Sequence, residues 1–247
     1  MSEGGFGVDI LAIAAHADDV ELCCGGLLAK TAAAGRRAAV IDMTRGEMGT
    51  RGTPEIRAEE ARAAAEALGL AARECLGLPD ARIENTEAAR LAVVETLRKH
   101  RPRVVIAPHP TDLHPDHART GEIVRDAYFL ARLRRLGAGG SHRPRALLYM
   151  MHHTPFEPTF VVDVTDSFDR KMAACRAYVS QLHDPSSREP RTQISDPLFL
   201  EAIESRARYF GSLIGVRYGE AFQAHETLPV SDVVSLFGGG GETGRRP

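Results

Sequence analysis

Two short stretches of the 247-residue chain concentrate the side chains that do chemistry. The first is Ala15-His16-Ala17-Asp18-Asp19-Val20-Glu21, followed by Gly25-Gly26. The second is Pro108-His109-Pro110-Thr111-Asp112-Leu113-His114-Pro115-Asp116-His117. Imidazoles and carboxylates at this density suit a divalent metal. His16 and Asp19 from the first stretch and His117 from the second make a three-donor set with open positions, as catalytic zinc requires. The same set suits non-haem ferrous iron, so the spacing leaves Zn2+ and Fe2+ both open. Asp18, beside a ligand, is the natural general base. A catalytic zinc lowers the pKa of its bound water from about 15.7 to about 7, and a carboxylate in reach takes the remaining proton. His114 is then placed to hydrogen-bond the oxyanion of a tetrahedral intermediate, and Asp116 to orient a neighbouring imidazole. The plain alternatives are that the histidines sit on the surface or cap helices, and that Asp18 only caps the helix that follows it. Acids beside histidines in both stretches favour chemistry. A dinucleotide site is excluded, because no G-x-G-x-x-G follows the first strand and Asp18-Asp19 would meet a pyrophosphate with like charge.

The elements that must position these residues read from the pattern. The apolar run 8–15 is a strand buried on both faces, as in a parallel sheet. A helix over 20–34 stops at Gly35, and 37–43 is the second strand. A glycine-containing loop, 44–53, leads to Pro54, which suits the first turn of a helix over 54–68. Then come a short strand at 73–76, a helix over 86–100, a strand at 103–107 and a helix over about 115–133. This alternation argues a Rossmann-like three-layer α/β/α sandwich with a mostly parallel sheet. In such sheets ligands bind at the carboxyl ends of the strands, where both stretches lie. The remainder is less regular: strands at 146–151 and 159–164, a helix over 166–181 opened by Asp166, a surface loop at 184–196 and a helix over 197–213. One domain is expected over 1–237, its last third closing the pocket, with a disordered tail at 238–247.

Composition bounds the partners. The 31 Lys and Arg against 33 Asp and Glu leave a net charge of −2, so no general nucleic-acid or membrane-surface partner is indicated. Arg132, Arg134, Arg135 and the run His142-Arg143-Pro144-Arg145 form one local basic cluster, read as a solvated helix end and loop. No apolar run reaches the ~18 residues that span a bilayer. The amino terminus lacks the pattern of a signal peptide. The four cysteines, Cys23, Cys24, Cys75 and Cys175, make no C-x-x-C pair, which fits small core residues in a reducing cytoplasm.

The two chemical stretches resemble the LmbE-like (PIG-L) deacetylase superfamily. The similarity extends through Thr44 to Glu60, Leu78-Pro79-Asp80 and Ala207 to Phe222, and there it looks like one branch, the N-acetylglucosaminyl malate deacetylases of bacillithiol biosynthesis. The resemblance implies a cytoplasmic, metal-dependent hydrolase acting on a small amino-sugar conjugate, assembled as a homo-oligomer, often a hexamer in this superfamily. It makes His16, Asp19 and His117 zinc ligands, Asp18 the general base, and His114 the oxyanion stabiliser supported by Asp116. It assigns Arg57 and Asp80 to the sugar hydroxyls and Glu47 to the loop lining the pocket. Arg45, Arg51 and Arg57 become the candidates for the malate carboxylates. Ala17 stands where many members carry proline, which bears on loop stiffness rather than ligation. Read without the resemblance, Arg57 is a helix-surface partner of Glu60 and Asp80 a turn residue after Pro79. Other N-acetylglucosaminides, thiol-conjugate amides, or a non-catalytic metal- or sugar-binding role are the competing readings.

Overall fold

The computed structural model describes residues 6–138 and 140–234. The expectations for the first few residues and for the tail at 238–247 lie outside them. Seven strands form one sheet: β1 (Val8–Ala14), β2 (Ala38–Thr44), β3 (Ala72–Leu78), β4 (Pro102–Pro108), β5 (Ala146–Met150), β6 (Phe160–Asp163) and β7 (Gly219–Ala224). Their order is β3-β2-β1-β4-β5-β7-β6. The first five pair in parallel, and β7 runs antiparallel to both its neighbours. Among the described residues, six helices cover the faces: α1 (Asp19–Ala33), α2 (Pro54–Leu68), α3 (Glu87–His100), α4 (Pro115–Leu130), α5 (Phe168–Arg176) and α6 (Phe199–Ile214). Among the described residues, no helix is long and apolar enough to cross a membrane.

Strand periodicity sorts the side chains into two cores. Leu11 and Ile13 of β1 join Val93 and Leu97 of α3 and Ile123 and Val124 of α4 on one face. Ala12 and Ala14, on the other, pack with Val20 and Leu28 of α1, Leu68 of α2 and Met172 of α5. Because successive side chains of a strand point to opposite faces, the small residues face α1 and let it lie close to the sheet. From β1 the chain steps outward to β2 and β3. It then returns across the sheet to β4 and steps the other way to β5. The order therefore reverses between β1 and β4. A crevice opens there at the carboxyl ends, and the two chemical stretches leave the sheet into it.

Two expectations need correction. The sequence reading assigns no strand to 219–224, yet β7 inserts between β5 and β6 and separates them. Gly-Glu-Ala-Phe-Gln-Ala has no β-branched residue, so local propensity is silent and burial of Phe222 decides the pairing. The helix expected over 166–181 begins as a 3-10 turn at Thr165–Ser167 and ends as α5 at Arg176. The carboxylate at its start is Asp163, which accepts the Thr165 amide, rather than Asp166.

β7 also carries a buried support for the site. Helix α1 departs from helical geometry at Cys24 (φ −138°, ψ 15°). The amides just beyond the break are received by Glu220: Gly26 donates to Oε1 (2.9 Å) and Leu27 to Oε2 (2.7 Å). Lys171 Nζ, 2.6 Å from Oε1, balances the charge. A Cβ on Gly26 would stand 2.8 Å from Val164 Cβ and 3.0 Å from Glu220, so this approach needs glycine. Removing the carboxylate by Glu220→Ala leaves a buried ammonium and two orphaned amides. Unfolding in urea is expected to show a loss of about 3–5 kcal/mol, and an unchanged midpoint would contradict this role.

Candidate metal centre

The site begins where β1 gives out. Asp18 has φ 110°, a conformation that non-glycine residues rarely adopt. Its side chain makes no capping bond to α1, so the helix-cap reading of Asp18 is not what the structure contains. The carboxylate is 5% exposed. One oxygen, Oδ1, lies 3.4 Å from the Arg57 guanidinium, and the other, Oδ2, has no hydrogen-bond partner. Burial pushes this carboxyl up to about 7, against the pull of Arg57 and with the push of Asp19. Arg57 reaches inward from α2, donating to the Ala17 carbonyl (2.6 Å), and does not pair with Glu60 on the helix surface. Glu60 instead receives the Ser180 amide and hydroxyl.

Each imidazole of the expected ligand set uses one nitrogen on a carboxylate and turns the other toward Asp19. His16 Nε2 lies 3.0 Å from Asp80 Oδ1 and 3.4 Å from Asp116 Oδ2, while Nδ1 is 3.6 Å from Asp19 Oδ2. His117 Nδ1 donates to Asp112 Oδ1 (3.0 Å), leaving Nε2 3.3 Å from Asp19 Oδ1. Carboxylate support of this kind fixes the tautomer and aims the free lone pair. His16, Asp19 and His117 each offer a ligand atom within 4.8 Å of the others. The electrostatics ask for a cation. Burial opposes charge on both imidazoles, yet the surrounding carboxylates raise His16 to about 12 and His117 to about 9. Asp19, despite its burial, is held well below the usual carboxylate range by His117 and His152. The two imidazoles and one carboxylate thus fit a divalent ion in donor chemistry and in charge.

His114 stands at the start of α4, its Nδ1 accepting the Asp116 amide (3.2 Å). The neutral ring therefore carries its proton on Nε2, the form that can donate to a developing oxyanion. Burial and the nearby His117 lower its pKa and favour that neutral form. Asp116 receives the Ala81 and Ile83 amides and faces His16. Asp80 accepts the Met48 amide as well as contacting His16, so it positions an imidazole besides lining the cavity. Glu47 is exposed, outside that lining, and accepts the Asp80 amide (2.8 Å). Of the other residues in the two stretches, His109 turns to Thr111 and Gln223, and Glu21 pairs with Arg73.

The cavity above these groups is about 520 Å³. Leu22, Ile194, Phe199, Ala202 and Ile203 contribute apolar lining, and Arg57 and Arg206 are its cations. Arg45 faces a separate cavity, and Arg51 is buried with its guanidinium on Ser187 and Glu189. Only Arg57 of the three expected arginines therefore reaches the site. Sequence reasoning passed over Asp112, His152, His153 and Arg206. His152 Nε2 is 3.0 Å from Asp19 Oδ1, and burial holds its pKa down at about 4. Its signal was its place: His152-His153 follows the last strand before the irregular region, at the same carboxyl edge.

The pattern of the GlcNAc-PI de-N-acetylase family, PIG-L, matches residues 11–128, which contain both chemical stretches. A conserved protein of Thermus thermophilus is 39% identical in sequence, with a TM-score of 0.82 over 92% of this chain and 97% of that one. The chain belongs to the PIG-L family. Among PIG-L relatives, the diacetylchitobiose deacetylase of Thermococcus kodakarensis is 28% identical, over 87% of this chain and 82% of its own. The 1D-myo-inositol 2-acetamido-2-deoxy-alpha-D-glucopyranoside deacetylase of Kineococcus radiotolerans is 27% identical, over 70% and 68%. His152 and Arg206 lie beyond the span matched to the PIG-L pattern. Purified protein is expected to carry one divalent ion per chain by elemental analysis. His117→Ala should lose it, and His109→Ala, whose imidazole serves Thr111 and Gln223, should keep it. Equal metal content in both variants would contradict the ligand set.

Proposed function

We propose that this protein is a zinc-dependent deacetylase that hydrolyses the acetamide of an N-acetylglucosamine conjugate, with N-acetylglucosaminyl malate as the substrate. The observation that carries the reading is Asp18, a buried carboxylate held in a strained backbone, unused as a cap, with one oxygen unpartnered beside the metal ligands. A side chain kept in this state suits proton transfer near neutral pH better than any structural duty. Held by His16, Asp19 and His117, a zinc ion would supply Lewis acidity and an acidified water. Asp18 takes the proton of the attacking water as the C–O bond forms. It returns that proton to the amide nitrogen as the C–N bond breaks, giving acetate and the free amine. His114 Nε2–H donates to the carbonyl oxygen as charge develops on it. Ferrous iron would be held by the same donors. A binding protein would need neither Asp18 nor His114 in these states.

Malate requires cations beside the sugar, and Arg57 and Arg206 are the two that line the cavity. A planar guanidinium matches a carboxylate with two parallel hydrogen bonds. The apolar surface of Leu22, Phe199 and Ile203 favours a second reading, an N-acetylglucosaminide with a neutral aglycone.

Asp18→Asn is expected to keep its metal and to lose roughly 10²–10⁴-fold in kcat, measured as deacetylation rate beside zinc content. Loss of zinc in this variant would mean that Asp18 is a ligand instead. For the substrate, kcat/KM should be about 10-fold or more higher for the malate conjugate than for its methyl glycoside, the worth of a charge-assisted hydrogen bond. Arg206→Ala should shrink that ratio. Equal values for both substrates would reject malate and leave the deacetylase reading in place.

A further inference from the structure

Between Leu182 and α6 the chain runs through 183–198 with turns but neither helix nor strand. An irregular stretch of this length is uncommon inside a compact domain and usually carries function. Among the described residues, none of 183–198 belongs to a hydrophobic core. So little apolar burial makes the segment easy to lift. Its inner turn is nevertheless ordered. Ser195 Oγ accepts the Thr192 amide (2.8 Å), and the Gln193 carbonyl accepts the Asp196 amide (3.2 Å). That turn brings Gln193 and Ile194 into the lining of the cavity above the metal donors, where they join Met48, Gly49 and Thr50 of the 44–53 loop and Phe199 of α6.

The segment is fastened at one place. Apart from its junction with α6, its hydrogen bonds and ion pairs to the rest of the described residues fall on Arg51 and Gly52. Arg51 Nη2 donates to Ser187 Oγ (3.2 Å), Arg51 Nε lies 3.4 Å from Glu189 Oε2, and the Gly52 amide donates to Glu189 Oε1 (3.3 Å). Arg51 itself is fixed on the body of the protein: it is 5% exposed, and its carbonyl accepts Gln181 Nε2 (2.8 Å). A buried guanidinium needs a counter-charge, and Glu189 is the carboxylate within ion-pair distance. The Glu189 side chain is 47% exposed, so solvent screens the pair and it can break. A buried cation on the body and a half-exposed anion on the segment make a contact that both holds and releases.

We infer that 183–198 is a strap, latched through Glu189 onto Arg51, that lays Gln193 and Ile194 against the aglycone of the substrate. Arg51 is then a positioning residue and Gln193 a specificity residue. This rests on the sugar-conjugate reading above and deepens it. Among the described residues, the partners of His16, Asp19 and His117 come from elsewhere, from Asp80, Asp112, Asp116 and His152. The strap therefore meets the substrate away from the acetamide. The Gln193 amide offers both a donor and an acceptor, which suits a polar aglycone.

The test is limited trypsin digestion of the full-length protein, read by fragment mass at Arg191, a bond trypsin can seat only when the strap lifts. Arg51→Gln should speed this cut by about 5-fold or more, the upper effect of losing an exposed ion pair. Arg62→Gln, on the exposed face of α2, should not. Equal rates in the two variants overturn the latch. Circular dichroism checks folding; should Arg51→Gln not fold, Glu189→Ala, cut at the same bond, takes its place. Glucosaminyl malate, the deacetylated product, at about ten times its Kd should slow the cut by about 10-fold. Free glucosamine at the same multiple of its own Kd should leave it unchanged. For Gln193→Ala, KM for N-acetylglucosaminyl malate should rise about 2–10-fold at unchanged kcat, as for one lost neutral hydrogen bond, while free N-acetylglucosamine is turned over as by the wild type. A KM that rises equally for both compounds, or a cut unmoved by the product, overturns the aglycone contact. No turnover of either compound by the wild type overturns the deacetylase reading instead, and the cut at Arg191 in Arg51→Gln still decides the strap.

Discussion

Two neighbouring carboxylates, Asp18 and Asp19, are taken out of water at the end of β1, at 5% and 3% exposure. Leaving two buried negative charges uncompensated would cost far more than a domain can spare. The surroundings of the site can be understood as the compensation. Arg57 is drawn in from α2 toward Asp18. The His16 amide, two imidazoles and a third ring from the loop after β5 gather on Asp19. A further layer of carboxylates, Asp80, Asp112 and Asp116, holds those rings by their far nitrogens. The result alternates negative and positive shells around one point, which is the electrostatic form of a metal centre before any ion is considered.

The two carboxylates are not treated alike. Asp19 is enclosed by imidazoles and stays ionised; Asp18 keeps one oxygen without a partner, and burial lifts its carboxyl to about 7. Environments that push adjacent carboxyl groups apart divide ligation from proton transfer. The backbone contributes as well. With φ of 110° at Asp18, the side chain is turned away from the helix it precedes, and the cost of that conformation is borne by the fold around it. Part of that support comes from β7, through Glu220 receiving the amides beyond the break in α1.

The span matched to the PIG-L pattern contains His16, Asp18, Asp19, His114 and His117. The later third supplies β7 and also His152, His153 and Arg206, which line the cavity. The candidate metal donors thus come from the matched span, while the cavity lining draws on both parts of the chain, as in other folds where a rigid sheet presents variable loops.

Much of this was legible in the sequence. Apolar runs of seven or eight residues alternating with alanine-rich helical segments marked the parallel sheet, and that sheet places whatever follows its strands at one edge. His16, Asp19 and His117 could be picked out because they lie in the segments that directly follow β1 and β4. Other features depend on partners distant along the chain. β7 is a strand because β5 and β6 flank it. Arg57 is buried because Asp18 and the Ala17 carbonyl are there to receive it. Arg51, by contrast, is drawn off to Ser187 and Glu189. Asp112, not Asp116, orients His117, since the turn into α4 carries the first toward Nδ1 and the second toward His16 and the Ala81 amide. The sequence alone determined the alternation of elements and the donor types, because local periodicity and residue chemistry are written in short windows. The tertiary structure decided which donors meet, which cations reach the cavity and which carboxylate is left without a partner, because burial and charge compensation are settled only between residues far apart in the chain.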